Sequence, residues 1–138
     1  MRTGEAVFVD TGAWIALALS RDSLHARAVE VWTNLKRQGV RLYTSVPVIL
    51  ETFTFLDRNA TRDVAIAWKD SLKSVPRLTV LDVKAGTLQN AWAFFDRKDL
   101  HKLSAVDATS FVLMTVAKVR YAFAFDHHFV TAGFRLVG

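Results

Sequence analysis

The stretch AVFVDTGAW, residues 6–14, decides how this chain folds. Its first four residues are apolar, with β-branched and aromatic side chains, which predicts a short buried strand. Asp10, Thr11 and Gly12 end the strand, and a helical pattern begins at about Ala13. A carboxylate at the edge of a core is costly unless it is paired, hydrogen-bonded or bound to a metal ion. Asp10 therefore needs an explanation, and on local sequence alone the best one is a cap of the following helix.

The stretch YAFAFDHHF, residues 121–129, repeats this pattern near the other end of the chain. An apolar and aromatic run leads directly into Asp126, which His127 and His128 follow. Taken alone, Asp126 is explained as a turn residue. Two apolar strands that both end on a carboxylate nevertheless suggest a functional site in so small a protein.

Strand-like and helix-like segments alternate along the rest of the chain. Besides the first strand, we expect strands over residues 40–45, 77–83, 121–125 and 134–137. Besides the first helix, we expect helices over residues 24–36, 46–58, 61–73, 85–97 and 103–119. This alternation predicts an α/β fold: a single three-layer domain, residues 1–138, with a mainly parallel central sheet of about five strands flanked by helices.

The composition is rich in apolar residues for a monomer, with 51% hydrophobic residues, mean hydropathy +0.20, four Trp and ten Phe. Part of this apolar surface is therefore expected to be buried against another chain, as in a homodimer. The longest apolar stretch is shorter than the roughly 20 residues of a membrane-spanning helix, so no membrane span is expected. No secretory signal is visible, and the cytoplasm is the expected location.

Charge and residue types narrow the chemistry. The formal net charge of +5 suits a polyanionic partner such as a nucleic acid, although many proteins without such a partner carry a similar excess. The absence of Cys excludes disulfides, thiolate metal sites and cysteine nucleophiles. No serine–histidine pair, glycine-rich phosphate loop or dinucleotide-binding fingerprint occurs, which excludes catalysis by a nucleophilic residue and nucleotide binding.

Two further carboxylates stand out by their context. Glu51 lies in VPVILETFTFL, residues 46–56, with apolar residues on both sides and no basic residue within four positions. Its place near a helix start, where a negative charge gains from the helix dipole, is an equally simple explanation. Asp107 follows Ser104 at the spacing of a capping box, which accounts for it without any chemistry. The two roles of Asp107 are compatible, because a first-turn residue beside the sheet can also face a cleft.

The four carboxylates Asp10, Glu51, Asp107 and Asp126 matter as a set. In an open α/β sheet, ligands bind beyond the carboxyl ends of the strands. Clustered carboxylates repel one another unless a cation neutralises them, and hard oxygen ligands select Mg²⁺ or Mn²⁺ rather than Zn²⁺.

The histidines receive other assignments. His127 and His128 adjoin Asp126, but adjacent side chains usually point in different directions, so the sequence gives little support to either as a metal ligand. His25 and His101 are interpreted as surface or hydrogen-bonding residues.

The chain resembles the PIN-domain family, and within it the short VapC-like toxins of bacterial and archaeal toxin–antitoxin pairs. The matching stretches follow the family's order and cover nearly the whole chain. They are VFVDTGAWIAL (residues 7–17), RDSLHARAVEVW (21–32), LYTSVPVILETFTFL (42–56), KLSAVDATSFVLM (102–114) and AFAFDHHFVTAGFRLV (122–137).

The resemblance implies a Mg²⁺- or Mn²⁺-dependent endoribonuclease, commonly a homodimer, that a cognate antitoxin holds inactive. The family's acidic pocket carries over onto Asp10, Glu51, Asp107 and Asp126, with Thr11 in a supporting role. On this basis Asp10, Asp107 and Asp126 are the expected metal ligands, directly or through water. Glu51 is expected to complete the pocket or to orient the attacking water.

Two other functions stay open at this point. One is a PIN-type RNA-processing nuclease without an antitoxin, and the other is a non-catalytic binding module whose carboxylates only cap helices. RNA in either enzyme would be steered by basic side chains around the cleft. The candidates are Arg58 and Arg62 after the Glu51 helix, and Arg97, Lys98, His101 and Lys102 before the Asp107 helix.

Overall fold

A single sheet forms the centre of the molecule. The structure is a computed structural model and describes residues 4–137. Residues 1–3 and 138 of the predicted domain lie outside the described residues. The strands are β1 (Ala6–Val9), β2 (Arg41–Ser45), β3 (Leu78–Leu81), β4 (Tyr121–Phe123) and β5 (Arg135–Leu136). All the strand pairs are parallel, and the strand order is β3-β2-β1-β4-β5.

Helices connect the strands throughout the described part of the chain. They are α1 (Thr11–Ala18), α2 (His25–Gln38), α3 (Val46–Asn59), α4 (Arg62–Ser71), α5 (Ala85–Ala91), α6 (Ala105–Ala117) and α7 (His128–Thr131). Short 3₁₀ segments at Leu72–Ser74 and Trp92–Asp96 extend α4 and α5. No helix within residues 4–137 combines the length and the apolar character needed to cross a membrane.

The predicted α/β fold with a parallel sheet of five strands is confirmed. Strand β1 lies at its centre, and Val7, Phe8 and Val9 are all fully buried. Because successive side chains of a strand point to opposite faces, helices must cover both faces of β1. From β1 the chain moves outward to β2 and β3, then returns to place β4 on the other side of β1. The β1–β4 boundary is therefore the switch point where such sheets bind ligands.

The helix ends follow the sequence signals. The hydroxyl oxygens of Ser45, Thr61 and Ser104 accept hydrogen bonds from the backbone N–H three residues on, at 3.2, 3.1 and 2.9 Å. Gly39 ends α2 with φ of +67°, a left-handed conformation that glycine adopts without strain. These caps satisfy backbone groups that a helix terminus otherwise leaves unpaired.

Three elements differ from the sequence prediction. Strand β4 ends at Phe123 instead of residue 125, because its neighbour β1 has already turned into α1 and offers no further ladder. The predicted helix over 85–97 ends at Ala91 and continues as a 3₁₀ turn, in which Phe94 packs on Phe111 with ring centroids 5.2 Å apart. Helix α7 was not predicted, because a four-residue helix has too little periodicity to be recognised.

Candidate metal centre

Asp10 is fixed at the switch point of the sheet. Its backbone N–H donates to the carbonyl of Phe123 at 3.0 Å, which ties the end of β1 to the end of β4. Asp10 occupies the N-cap position of α1, yet its side chain makes no capping hydrogen bond. The carboxylate is only 4% exposed, and its Oδ1 has no hydrogen-bond partner. The explanation of the Asp10 side chain as a helix cap is therefore wrong.

A buried hydrogen-bond chain holds this strand end in place. The indole Nε1 of Trp14 donates to Thr44 Oγ1 at 3.1 Å, and that hydroxyl donates to the carbonyl of Val9 at 3.0 Å. Both Trp14 and Thr44 are buried. The residue before Asp10 is thus bonded to β2 on one side, while Asp10 itself is bonded to β4 on the other.

The pKa of Asp10 is raised to about 7. Burial is the main cause, and the nearby carboxylates of Glu51 and Asp126 contribute in the same direction. The backbone N–H groups of Thr11 and Gly12 act in the opposite direction, although neither forms a hydrogen bond of ordinary geometry with Oδ1. The buried hydroxyl Oγ1 of Thr11 is likewise without a partner. Two adjacent oxygen donors are therefore available here.

Asp107 lies in the first turn of α6 and is 6% exposed. Ser104 caps its backbone N–H, but the structure contains no return bond from the Asp107 carboxylate, within the described residues, to complete the predicted capping box. Burial raises the pKa of Asp107 to about 9, and the charge on Asp10 and a hydrogen bond shared with Asp126 add to the effect. The carboxyl group thus faces other carboxylates, which supports the cleft-facing interpretation.

Asp126 is less buried than the other two. Ala124 and Phe125 separate it from the end of β4, so it does not follow the strand directly as predicted. Its Oδ1 accepts the backbone N–H of His128 at 2.9 Å, which makes Asp126 a turn residue as well. Partial burial favours a higher pKa, but that hydrogen bond, the proton held by Asp107 and the His128 ring together lower the pKa of Asp126.

His128 is the residue that sequence reasoning undervalued. Its Nδ1 lies 3.0 Å from Asp126 Oδ1 and 3.9 Å from Asp107 Oδ2. Ligand atoms of Asp107, Asp126 and His128 all lie within 4.8 Å of one another. His127 is exposed, so the two histidines do point in different directions, and one of them points at the carboxylates. The His128 ring belongs to helix α7, which begins at this residue and is too short to be recognised from the sequence.

Glu51 lies outside that compact group. It is half-buried on α3 and lines a cavity of about 570 Å³ together with Leu50, Phe55, Arg58 and Val106. Its charge is nevertheless close enough to raise the pKa of both Asp10 and Asp107. Glu51 therefore lies beside the acidic group, on the wall of an open cavity whose described lining includes none of the other three carboxylates.

The basic candidates have mixed surroundings. Arg58 lines the same cavity as Glu51. Arg62 forms an ion pair with Asp57, and Arg97 forms one with Asp99, both at 2.6 Å. Lys98, His101 and Lys102 are exposed.

The residues present fit a divalent cation. Within residues 4–137, no lysine or arginine pairs with Asp10 or Asp107, although both are buried. Burial without a cationic partner raises the pKa of both carboxyl groups, and the oxygens Asp10 Oδ1 and Thr11 Oγ1, which lack hydrogen-bond partners, are hard donors. A cation beside these groups would compensate the charge of the carboxylates and would give the two oxygens a partner.

Comparison with known proteins identifies the family and the fold. The PIN-domain family model matches residues 7–135. The 23S rRNA-specific endonuclease VapC20 of Mycobacterium tuberculosis is 34% identical over 128 residues, which cover 93% of this chain and 95% of that protein. Its crystal structure, described as that of a Sarcin-Ricin loop cleaving toxin, superposes with a TM-score of 0.82 over the same shares.

Two more distant structures share the fold alone. DNA-bound VapBC from Salmonella typhimurium is 16% identical, with a TM-score of 0.65 over 99% of this chain and 97% of the other. FitAcB from Neisseria gonorrhoeae is 13% identical, with a TM-score of 0.67 over 96% of each chain. Since the domain model spans residues 7–135 and a full-length relative is 34% identical, this chain belongs to the PIN-domain family.

Proposed function

We propose that this chain is a metal-dependent endoribonuclease of the VapC type, which hydrolyses RNA phosphodiester bonds with Mg²⁺ or Mn²⁺. One observation carries the proposal. Asp10 and Asp107 are buried beside each other at the switch point of the sheet, without a lysine or arginine partner among the described residues. Such an arrangement is costly for stability, and a cation that serves catalysis explains why it is kept.

Each carboxylate has a role in this proposal. Asp10, Asp107 and Asp126 hold the cation, and the Thr11 hydroxyl supports it. When bound, a divalent cation supplies charge compensation for the phosphoryl oxygens and a water of lowered pKa. Glu51, which lies beside the acidic group on the wall of an open cavity, orients the attacking water and accepts its proton. Arg58 on the same wall steers the RNA backbone.

The substrate class follows from the relative. VapC20 is named a 23S rRNA-specific endonuclease, and the identity of 34% extends over 93% of this chain. We therefore propose a loop of ribosomal RNA as the substrate, because unstacked loop bases are open to contact. The experiment is cleavage of a labelled sarcin–ricin hairpin and an unrelated hairpin, with Mg²⁺, Mn²⁺ or EDTA. Cutting that persists in EDTA would contradict metal dependence, and equal cutting of both hairpins would contradict the substrate class.

The partners are also part of the proposal. The chain acts in the cytoplasm as one domain, residues 1–138, forms a homodimer and is inhibited by a cognate antitoxin. VapC20 is described as a toxin, which supports an antitoxin partner. Large apolar side chains stay exposed on several elements, which supports burial against another chain. They include Leu50, Trp92, Phe95 and Val116.

Light scattering at micromolar concentration tests the dimer. A mass twice the 15.5 kDa of one chain is expected. A monomer would reserve the exposed apolar surface for the antitoxin instead. A reading frame for a small DNA-binding protein beside this gene distinguishes a toxin from an RNA-processing nuclease without an antitoxin.

A further inference from the structure

The two ring nitrogens of His128 face different partners. Nε2 lies 2.5 Å from the backbone carbonyl oxygen of His101. A carbonyl oxygen can only accept a hydrogen bond, so Nε2 must carry the hydrogen. In the neutral ring, the other nitrogen, Nδ1, then presents a lone pair.

That lone pair faces the carboxylates. Nδ1 lies 3.0 and 3.3 Å from the two oxygens of Asp126 and 3.9 Å from Asp107 Oδ2. A nitrogen lone pair and carboxylate oxygens at these separations repel one another unless a positive species lies between them, and either a proton on Nδ1 or a metal ion can be that species. Asp10, which is 4% exposed and close enough to act on the charge of Asp107, has an oxygen, Oδ1, without a hydrogen-bond partner among the described residues, and this independent observation favours a metal ion over a proton.

We propose that Nδ1 of His128 is a protein ligand of the cation, together with Asp107 and Asp126, and that this nitrogen makes the site prefer Mn²⁺ over Mg²⁺. The inference rests on the metal site of the proposed function and adds a ligand to it. Mg²⁺ takes oxygen ligands almost exclusively, whereas an imidazole nitrogen is a ligand for transition-metal ions.

The surroundings of His128 are those of a metal-binding histidine. Such a histidine donates its other ring N–H to a carboxylate or a backbone carbonyl, which fixes the tautomer and the ring orientation. Here the acceptor is His101, on the segment that leads into α6. Arg97 ties the same segment to α7 through a hydrogen bond to the carbonyl of Thr131 at 3.2 Å.

Helix α7 itself is anchored in the core. Phe129 is fully buried, and its ring packs edge-to-face on Phe111 with centroids 5.0 Å apart. The backbone N–H of His128 is held by Asp126, as described above. The imidazole is therefore positioned before any cation arrives, which favours binding because little ordering remains to be done.

Pulsed EPR of the full chain loaded with Mn²⁺ tests the inference directly. We expect ¹⁴N modulation from a coordinated imidazole in the parent protein, replaced by a ¹⁵N signature when histidine is ¹⁵N-labelled. The modulation should vanish in His128→Gln and persist in His127→Gln, a matched control whose side chain is exposed.

Calorimetry provides the second readout. His128→Gln should lose at least about tenfold in Mn²⁺ affinity and much less in Mg²⁺ affinity, so that the preference for Mn²⁺ narrows. His127→Gln should keep both affinities.

The outcomes separate this inference from the proposed function. Mn²⁺ that binds the parent protein without any ¹⁴N modulation overturns the ligand assignment and leaves the nuclease proposal standing, with His128 as an ion-pair partner of Asp126. Loss of the modulation in His127→Gln also overturns the assignment. If neither Mn²⁺ nor Mg²⁺ binds, the metal site of the proposed function fails as well. The labelled parent protein answers the question even if His128→Gln does not fold.

Discussion

Two regions at helix α1 differ in what they bury: one buries carboxyl groups and the other buries aromatic rings. The acidic centre, consisting of Asp10, Asp107, Asp126 and His128, buries two carboxyl groups that have no lysine or arginine partner among the described residues. The tryptophan groove, formed by Trp14, Trp32 and Trp68, lines a cavity of about 530 Å³ on the other side of α1. The contrast teaches that ring packing in the groove stabilises the fold, whereas burial of unpaired carboxyl groups in the acidic centre destabilises it, as expected of a site that binds a cation.

The groove is held together by ring packing, although the buried Nε1 of Trp68 has no hydrogen-bond partner among the described residues. The ring of Trp14 packs edge-to-face on Trp32 and Trp68, with centroids 5.5 and 5.9 Å apart. Such pairs contribute about 0.5–1.5 kcal/mol each beyond their area burial. The Trp14 indole N–H is hydrogen-bonded to Thr44, and Lys36 lies over the Trp32 ring at 5.7 Å. Truncation here should destabilise the fold, whereas neutralising Asp10 or Asp107 in the acidic centre should not.

The largest expected effect is on RNA cleavage. Asp126→Asn should reduce cleavage by at least about a thousandfold, or ~4 kcal/mol, because the amide keeps the size of the side chain but loses the charge that holds the cation. Asp10→Asn and Asp107→Asn should behave in the same way, and Glu51→Gln similarly or more mildly. Cleavage of labelled RNA by each purified variant measures it.

The matched control is Asp82→Asn, since Asp82 is exposed and its carboxylate bonds only the adjacent N–H of Val83. This control should cut RNA at the parent rate. Asp10→Asn and Asp107→Asn should unfold without metal at the same denaturant concentration as the parent or at a higher one, whereas Asp126→Asn should unfold at a slightly lower one, because contacts with His128 stabilise the Asp126 charge. If Asp126→Asn cuts RNA as fast as the parent, its catalytic assignment is wrong.

The next largest effect is in the groove. Trp14→Ala should lower the free energy of unfolding by about 3–5 kcal/mol, because it leaves a cavity and removes the hydrogen bond that the buried Thr44 hydroxyl accepts. Denaturant unfolding at matched protein concentration measures the change. Val29→Ala is the control, because Val29 lies on α2, is 40% exposed and is not among the residues named above for burial against another chain. Equal losses in the two variants would remove the contrast between groove and surface.

The pH dependence of the metal-free protein is the third expectation. The folded-state pKa values of Asp10 and Asp107, about 7 and about 9, lie above the ordinary value of 3.8. The native state therefore binds more protons than the unfolded state between these values, so stability falls as pH rises from about 4. Thermal unfolding in EDTA at pH 5 and pH 8 should give the lower midpoint at pH 8.

Mn²⁺ should reverse this trend, since its ligands must lose their protons before they bind. At a hundred times its dissociation constant, a metal that binds only the native state adds about 2.7 kcal/mol. Asp10→Asn should flatten the pH slope in EDTA. A stability that rises from pH 5 to pH 8 without metal would show that these carboxyl groups are not held protonated by burial.

The sequence predicted the fold well because its signals are local. Continuous apolar runs with turn residues after them place β1 and β4, and apolar residues at helical spacing place α2. Apart from the short helix α7, the differences from prediction concern the ends of elements, and contacts with neighbouring elements determine where those ends fall. Strand β4 ends early because β1 has no more residues to pair with it, which no property of Ala124 or Phe125 reveals.

The site was predictable in its carboxylates and less so in its arrangement. The structure brings Asp107 and Asp126 together, with Asp10 close by and Glu51 farther out, while their catalytic roles stay predictions. His128 could not be recognised, because its ring is oriented by the carbonyl of His101, which is distant in sequence. The resemblance to PIN domains was correct about the family, and tertiary contacts supply the rest.

The smallest expected effect is on the free energy of unfolding, and it distinguishes the capping role of Ser104 from the charge of Asp107 in the first turn of α6. Ser104→Ala removes the hydroxyl that accepts the Asp107 N–H at 2.9 Å, and loss of such a cap costs about 1 kcal/mol of stability. Ser104→Thr keeps the hydroxyl and should stay within a few tenths of a kcal/mol of the parent. Denaturant unfolding at pH 7 in EDTA compares these variants with Asp107→Asn, which should lose nothing because its carboxyl is already protonated there. Mn²⁺ calorimetry should show the reverse order, with affinity kept in Ser104→Ala and lost in Asp107→Asn. If Asp107→Asn instead loses as much stability as Ser104→Ala and keeps Mn²⁺, then Asp107 is a capping residue and the acidic centre is a structural feature of the fold.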